Sequence, residues 1–149
     1  GVAVIRVGAA TEVEMIEKKH RIDDALEAVR SAQEEGIIVG GGVTLLKIAR
    51  KLSIALDSEE QTLGANIVLK ACEAPLRTMA RNAGESEDLV VERIVNSNSN
   101  ECYDFLNREL TNAIDSGIID PKKVTRCALQ NAASAAGTLL TTSHAIVKV

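Results

Sequence analysis

Three places in the 149-residue chain carry residue types that could do chemistry. The run Gly40–Gly42, in EEGIIVGGGVTLLKIARKL, stands between a β-branched apolar stretch and an amphipathic helix. Bare backbone at a helix start offers free N–H groups to an anion, with no Cβ to obstruct its approach. The run matches neither G-x-G-x-x-G nor the phosphate loop G-x-x-x-x-G-K-S/T. A tight turn between two elements is therefore the plainer reading, and nucleotide binding the alternative. Asp24 lies on the polar face of a long helix, about 200° round from the apolar stripe at about 100° per residue. A carboxylate there can order or activate a water if another domain brings substrate under it, or it is simply a solvated charge beside Asp23. Asp120 precedes Pro121 and reads as a helix N-cap with Pro121 at N1. A carboxylate so held can still accept hydrogen bonds from ribose hydroxyls. His20 and His144 stand apart from other ligand types, and no metal site is assigned.

The elements that must position these residues are mostly helices. Gly1–Ala10 reads as a strand with two largely apolar faces, which wants partners on both sides. Thr11 and Glu14 form a capping box for a helix to about Glu35, with Met15, Ile22, Ala25, Leu26 and Val29 as its apolar stripe. Glu14–Lys18 and Glu17–Arg21 are i,i+4 pairs, and Gly36 is its C-cap. Further helices are expected over Val43–Leu52, from Asp57 to about Glu73, from Pro75 to Asn82, and over Glu85–Asn96. A short strand is expected at Glu101–Phe105, a small-residue helix after Pro121, and a strand at Ala145–Val149. The body is thus a mainly α bundle bracketed by two strands without local partners.

The whole chain narrows the function classes. Apolar residues make up 46% and charged residues 26%, the balance of a globular domain. A net charge of −4, a pI near 5.3 and only 1% aromatics argue against a nucleic-acid binder. No apolar run approaches the roughly 20 residues of a membrane span. The chain starts at Gly1 without a Met, so its true N-terminus is expected upstream. Cys72, Cys102 and Cys127 form no C-x-x-C pair, and reduced, mostly buried thiols are expected in a reducing compartment.

These signals occur in order within stretches of specific text. GVAVIRVGAATEVEMIEKKHRIDDALEAVRSAQEEG, IIVGGGVTLL, APLRTMARNAGE and GIIDPKKVTRCALQNAAS together closely resemble the group I chaperonins, the GroEL family. The resemblance covers essentially the whole chain and is weakest near residues 52–62 and 96–112. It implies roughly the last third of a subunit. Residues 1–33 would be the returning segment of the intermediate domain, and residues 34–149 the C-terminal half of the equatorial ATP-binding domain. The orphan strands would then pair with upstream strands and with a neighbouring subunit.

By that resemblance, Gly41 matches the nucleotide-binding glycine and Asp120 the carboxylate that holds the ribose. Asp104, Phe105 and Leu106 fall where the family contacts the adenine, although Phe105 and Leu106 are bulky where the family carries small residues. Asp24 matches the catalytic carboxylate that promotes attack of water on the γ-phosphate. Arg77 and Glu85–Asp88 fall where the family makes ring-to-ring contacts. The resemblance implies ATP or ADP with Mg²⁺ as cofactor, the magnesium ligand and phosphate loop lying outside this segment. The implied partners are identical subunits in heptameric rings, a co-chaperonin lid and unfolded protein clients, with neither nucleic acid nor membrane. The implied location is the cytoplasm, with the mitochondrial matrix as alternative. Two rival readings stand beside it: a truncated fragment that only packs or assembles, and an unrelated nucleotide-binding enzyme that uses the glycine turn. This segment alone is expected to lack ATPase activity.

Overall fold

A computed structural model describes residues 1–147. The first helix, α1 (Glu12–Glu35), starts where the sequence signals it: Thr11 Oγ1 accepts from the Glu14 N–H at 3.3 Å. Glu17 and Arg21 pair at 2.5 Å. Lys18 does not take Glu14 as its partner but donates to Gly8 O at 3.2 Å. Gly36 ends the helix at φ 84°, its N–H donating to Ala32 O. No residue of α1 is buried, and Met15, Leu26 and Val29 of its apolar stripe are exposed.

The chain then turns back through β1 (Ile37–Val39) and the glycine turn into α2 (Val43–Lys51). Ser58 caps α3 (Glu59–Ala71) by accepting from Gln61 N–H. The short helix α4 (Ala74–Asn82), with Pro75 in its first turn, leads to α5 (Glu87–Val95). A hairpin of β2 (Glu101–Asp104) and β3 (Glu109–Asn112) follows. Last come β4 (Ile119–Pro121) and α6 (Lys122–Leu140). β1 and β4 pair antiparallel, with Ile38 opposite Asp120.

The core forms where α2, α4, α5 and the hairpin meet. Val43, Leu46, Leu76, Val90, Ile94 and Tyr103 are buried in one cluster, and Phe105 packs against it edge-on to Tyr103, ring centroids 5.0 Å apart. Burial of such side chains is the main term holding these elements together. By contrast α1, α3 and α6 contain no buried residue.

Several expectations are corrected. Gly1–Ala10 forms no strand: its peptide groups have no partner strand among the described residues, and Val2 and Val4 are exposed. Nor do Ala145–Val147 form one; Lys148 and Val149 of that expected strand lie outside the described residues. Asp120 is not a helix cap. Pairing with β1 draws it into β4, and Pro121 becomes the N-cap residue with no side-chain cap bond. β1, β3 and β4 were not anticipated, because runs of three or four residues carry too little alternation to be read.

Candidate functional site

The glycine run is required by backbone geometry and by packing. Gly41 and Gly42 sit at φ 65° and 72°, in the left-handed region that other residues avoid. The Gly40 N–H donates to Ile118 O at 2.9 Å, and a Cβ on Gly40 would stand 3.0 Å from that oxygen. A Cβ on Gly42 would stand 2.9 Å from Leu76 N. Gly41 differs from both, since a Cβ there would meet only Ile118 Cγ2, at 3.8 Å. Two of the glycines thus serve close packing, and the middle one leaves backbone open.

That open backbone borders a groove of about 670 Å³ between α2, α4 and α6. Gly41, Gly42 and Asp120 line it, with Ile38, Pro75 and Ala128 among the apolar wall. The β1–β4 ladder brings Asp120 there: Ile38 opposite Asp120 sets the carboxylate beside the turn that begins at Gly40. Among the described residues the Asp120 carboxylate has no hydrogen-bond partner, and burial pushes its pKa up. A desolvated, unpartnered carboxylate is an acceptor in want of donors, which vicinal hydroxyls would supply. Thr44 and Thr78 also line the groove, and the Thr44 hydroxyl donates to Val39 O at 2.8 Å, closing the turn. Thr44 and Thr78 were not singled out in the sequence, where a threonine in an amphipathic helix carries no signal.

Among the described residues, no lysine or arginine lines this groove. A sugar with hydroxyls fits the donor and acceptor set; the charge of phosphates would have to be balanced by groups outside it. Among the described residues no group of three His, Cys, Asp or Glu side chains is arranged to hold a metal ion.

The other sequence-predicted residues stand apart from the groove. Asp24 is exposed on α1, beside His20, Glu17 and Arg21. It lies 12 residues before Gly36, about 18 Å along the helix at about 1.5 Å per residue. Asp104 ends β2 and binds its own turn, accepting from Leu106 N–H at 2.8 Å, Asn107 N–H at 3.3 Å and Asn107 Nδ2 at 2.8 Å. These bonds, the Leu106 N–H first, hold its pKa below the usual carboxylate range. Phe105 is half-buried against the core, and Leu106 is 89% exposed. None of the three lines the groove. The charges expected at a ring contact are paired within the chain: Arg77 with Glu73 and Asp88, Arg81 with Glu87, and Arg108 with Glu85.

Comparisons with known proteins bear on this arrangement. The model of the TCP-1/cpn60 chaperonin family matches residues 1–149. Among solved structures, a group III chaperonin crystallised in the open state superposes with a TM-score of 0.78 at 27% identity. The match covers 94% of this chain and 30% of that one, so the chain spans under a third of the chaperonin it matches. A family match over the full length, a shared fold, and a groove that joins the glycine turn to Asp120 agree, and the chain belongs to the TCP-1/cpn60 chaperonin family.

Proposed function

We propose that this chain is a segment of an ATP-dependent chaperonin subunit and supplies part of its nucleotide site. The observation that carries the reading is the shared groove: Gly41 and Asp120, far apart in sequence, line one cleft in a chain of this family. Gly41 would let the nucleotide approach bare backbone, and Asp120 would accept from the ribose hydroxyls. The bound nucleotide and Mg²⁺ would supply the phosphate chemistry, held by groups outside this segment.

Asp24 is proposed as the residue that takes a proton from the attacking water once α1 moves over the nucleotide. Its exposure and its freedom from any ion pair among the described residues suit that role. Asp104, Phe105 and Leu106 are proposed to reach the base through the backbone of the β2–β3 turn. We also keep the division into an intermediate segment, residues 1–33, and an equatorial one, residues 34–149. The group I reading rests on the quoted segments, above all GIIDPKKVTR, and carries with it heptameric rings, a lid, non-native clients and a cytoplasmic or matrix location.

A second reading, a non-catalytic assembly fragment, is favoured for the isolated chain because no cation lines the groove among the described residues. One experiment separates the two. In the full-length protein, Asp24→Ala is expected to abolish most ATP hydrolysis while ATP still binds; unchanged turnover would remove Asp24 from the mechanism. The 149-residue chain alone is expected to hydrolyse nothing.

A further inference from the structure

A closed circuit of hydrogen bonds links the glycine turn to the β2–β3 hairpin. The Gly40 N–H donates to Ile118 O at 2.9 Å, the Ile118 N–H to Ala113 O at 2.8 Å, and the Ala113 N–H to Asn100 O at 2.9 Å. Asn100 lies in the segment 97–101, which leads into β2 and includes its first residue. That segment also takes every bond of the Lys47 ammonium: Ser97 Oγ at 3.1 Å, Glu101 O at 3.3 Å, and Asn98 O. Lys47 stands on α2, the helix that begins directly after Gly42. The path therefore leaves the glycine turn through Ile118 and Ala113, reaches the base of the hairpin, and returns through Lys47 to the turn's own helix.

Each member of the circuit is hard to displace alone. Ala113 is fully buried, so the Ala113 peptide cannot shift without disturbing the core. All three donors of Lys47 are used. Burial lowers the Lys47 pKa while the Glu101 carboxylate opposes that shift. Glu101 is itself fixed by the Asn98 N–H at 2.9 Å and Asn98 Nδ2 at 2.8 Å.

We propose that Lys47 is a positioning residue which closes this circuit, so that a ligand ordering Gly40–Gly42 also orders the hairpin Glu101–Asn112. The inference rests on the nucleotide reading of the Gly41–Asp120 groove.

The test is amide hydrogen exchange on the full-length protein, with and without ADP and Mg²⁺. In the wild type, ADP is expected to slow the amides of residues 101–104 and 109–112 by roughly fivefold or more, the scale of an ordinary coupling between sites. Lys47→Met keeps the apolar stem and removes the donors. It is expected to retain ADP binding but lose the slowing at the hairpin, and Lys47→Arg to restore part of it. Equal slowing in Lys47→Met overturns the proposal, as does ADP binding to the wild type without slowing. Failure of the wild type to bind ADP overturns the nucleotide reading itself, and the proposal falls with it. Should Lys47→Met not fold, Ser97→Ala removes one acceptor and is expected to reduce the slowing; undiminished slowing there counts against the circuit.

Discussion

The Asp120 carboxylate loses solvent on the β1–β4 ladder without gaining a donor, and its pKa is raised for that reason. The folded chain then keeps this proton to higher pH than the unfolded chain does. Across the window between the two values, stability falls as pH rises, and the penalty is complete above the folded value. Asp120→Asn is therefore expected to raise the urea midpoint at neutral pH and to remove this part of the pH dependence. An unchanged midpoint would count against a desolvated carboxylate. Had Asp120 been a cap, its loss would have cost about 1 kcal/mol instead. The same variant should weaken ATP binding about tenfold or more in the full-length protein, as expected for a lost hydrogen bond to a charged group. The glycines divide in a similar way. Gly42→Ala meets both left-handed strain, about 1–3 kcal/mol, and a contact at 2.9 Å with Leu76 N, so unfolding curves should show a large loss. Gly41→Ala meets only the strain. Its larger effect is expected on nucleotide affinity, because the new methyl borders the groove.

At the level of elements, α1 is held to the body at its C-terminal end. Lys123 pairs with Glu34, and Arg126 makes two bonds to Glu35, at 2.6 and 3.1 Å. Lys122 N–H donates to Gly36 O at 3.1 Å. The hydrogen bonds from Arg126 are the main cause that lowers the Glu35 pKa. A lowered carboxylate pKa stabilises above its unfolded value and loses that contribution as pH falls through the folded one. These pairs are exposed, so salt screens them. Arg126→Ala is expected to speed amide exchange in the last turns of α1 and to weaken its dependence on salt and acid, the Lys123–Glu34 pair remaining. Unaltered exchange there would show that the β-ladder and the backbone bond suffice. The helices were largely legible in the sequence because residues such as Thr11 and Gly36 mark ends chemically and locally. The ladder that joins Ile38 to Asp120 was not, because its partners lie about 80 residues apart and three residues carry no period.

For the whole molecule, the exposed helices are informative. Leu63 and Ile67 on α3 and Leu139 and Leu140 on α6 stand in solvent, while the core lies to one side under α2, α4 and α5. In the solved chaperonin matched here, the equivalent region is 30% of the chain. A ring of longer subunits is the expected state of the parent protein, and native mass spectrometry checks it. Seven subunits per ring would support the group I reading, and any other number would count against it.

Residue order alone determined most of the helices, the caps at Thr11 and Gly36, a turn at the glycines and the family text, since each depends on neighbours within a few positions. It also nominated Gly41 and Asp120, but as separate signals with bland explanations. Tertiary structure decided that they share one groove and that Asp120 is a strand residue. It also left the chain's first ten residues without a sheet. The physical reason is common to all three. A cap or a glycine turn is a local conformational preference, whereas a β-ladder, a cleft and a desolvated carboxylate exist only when distant segments meet and exclude water.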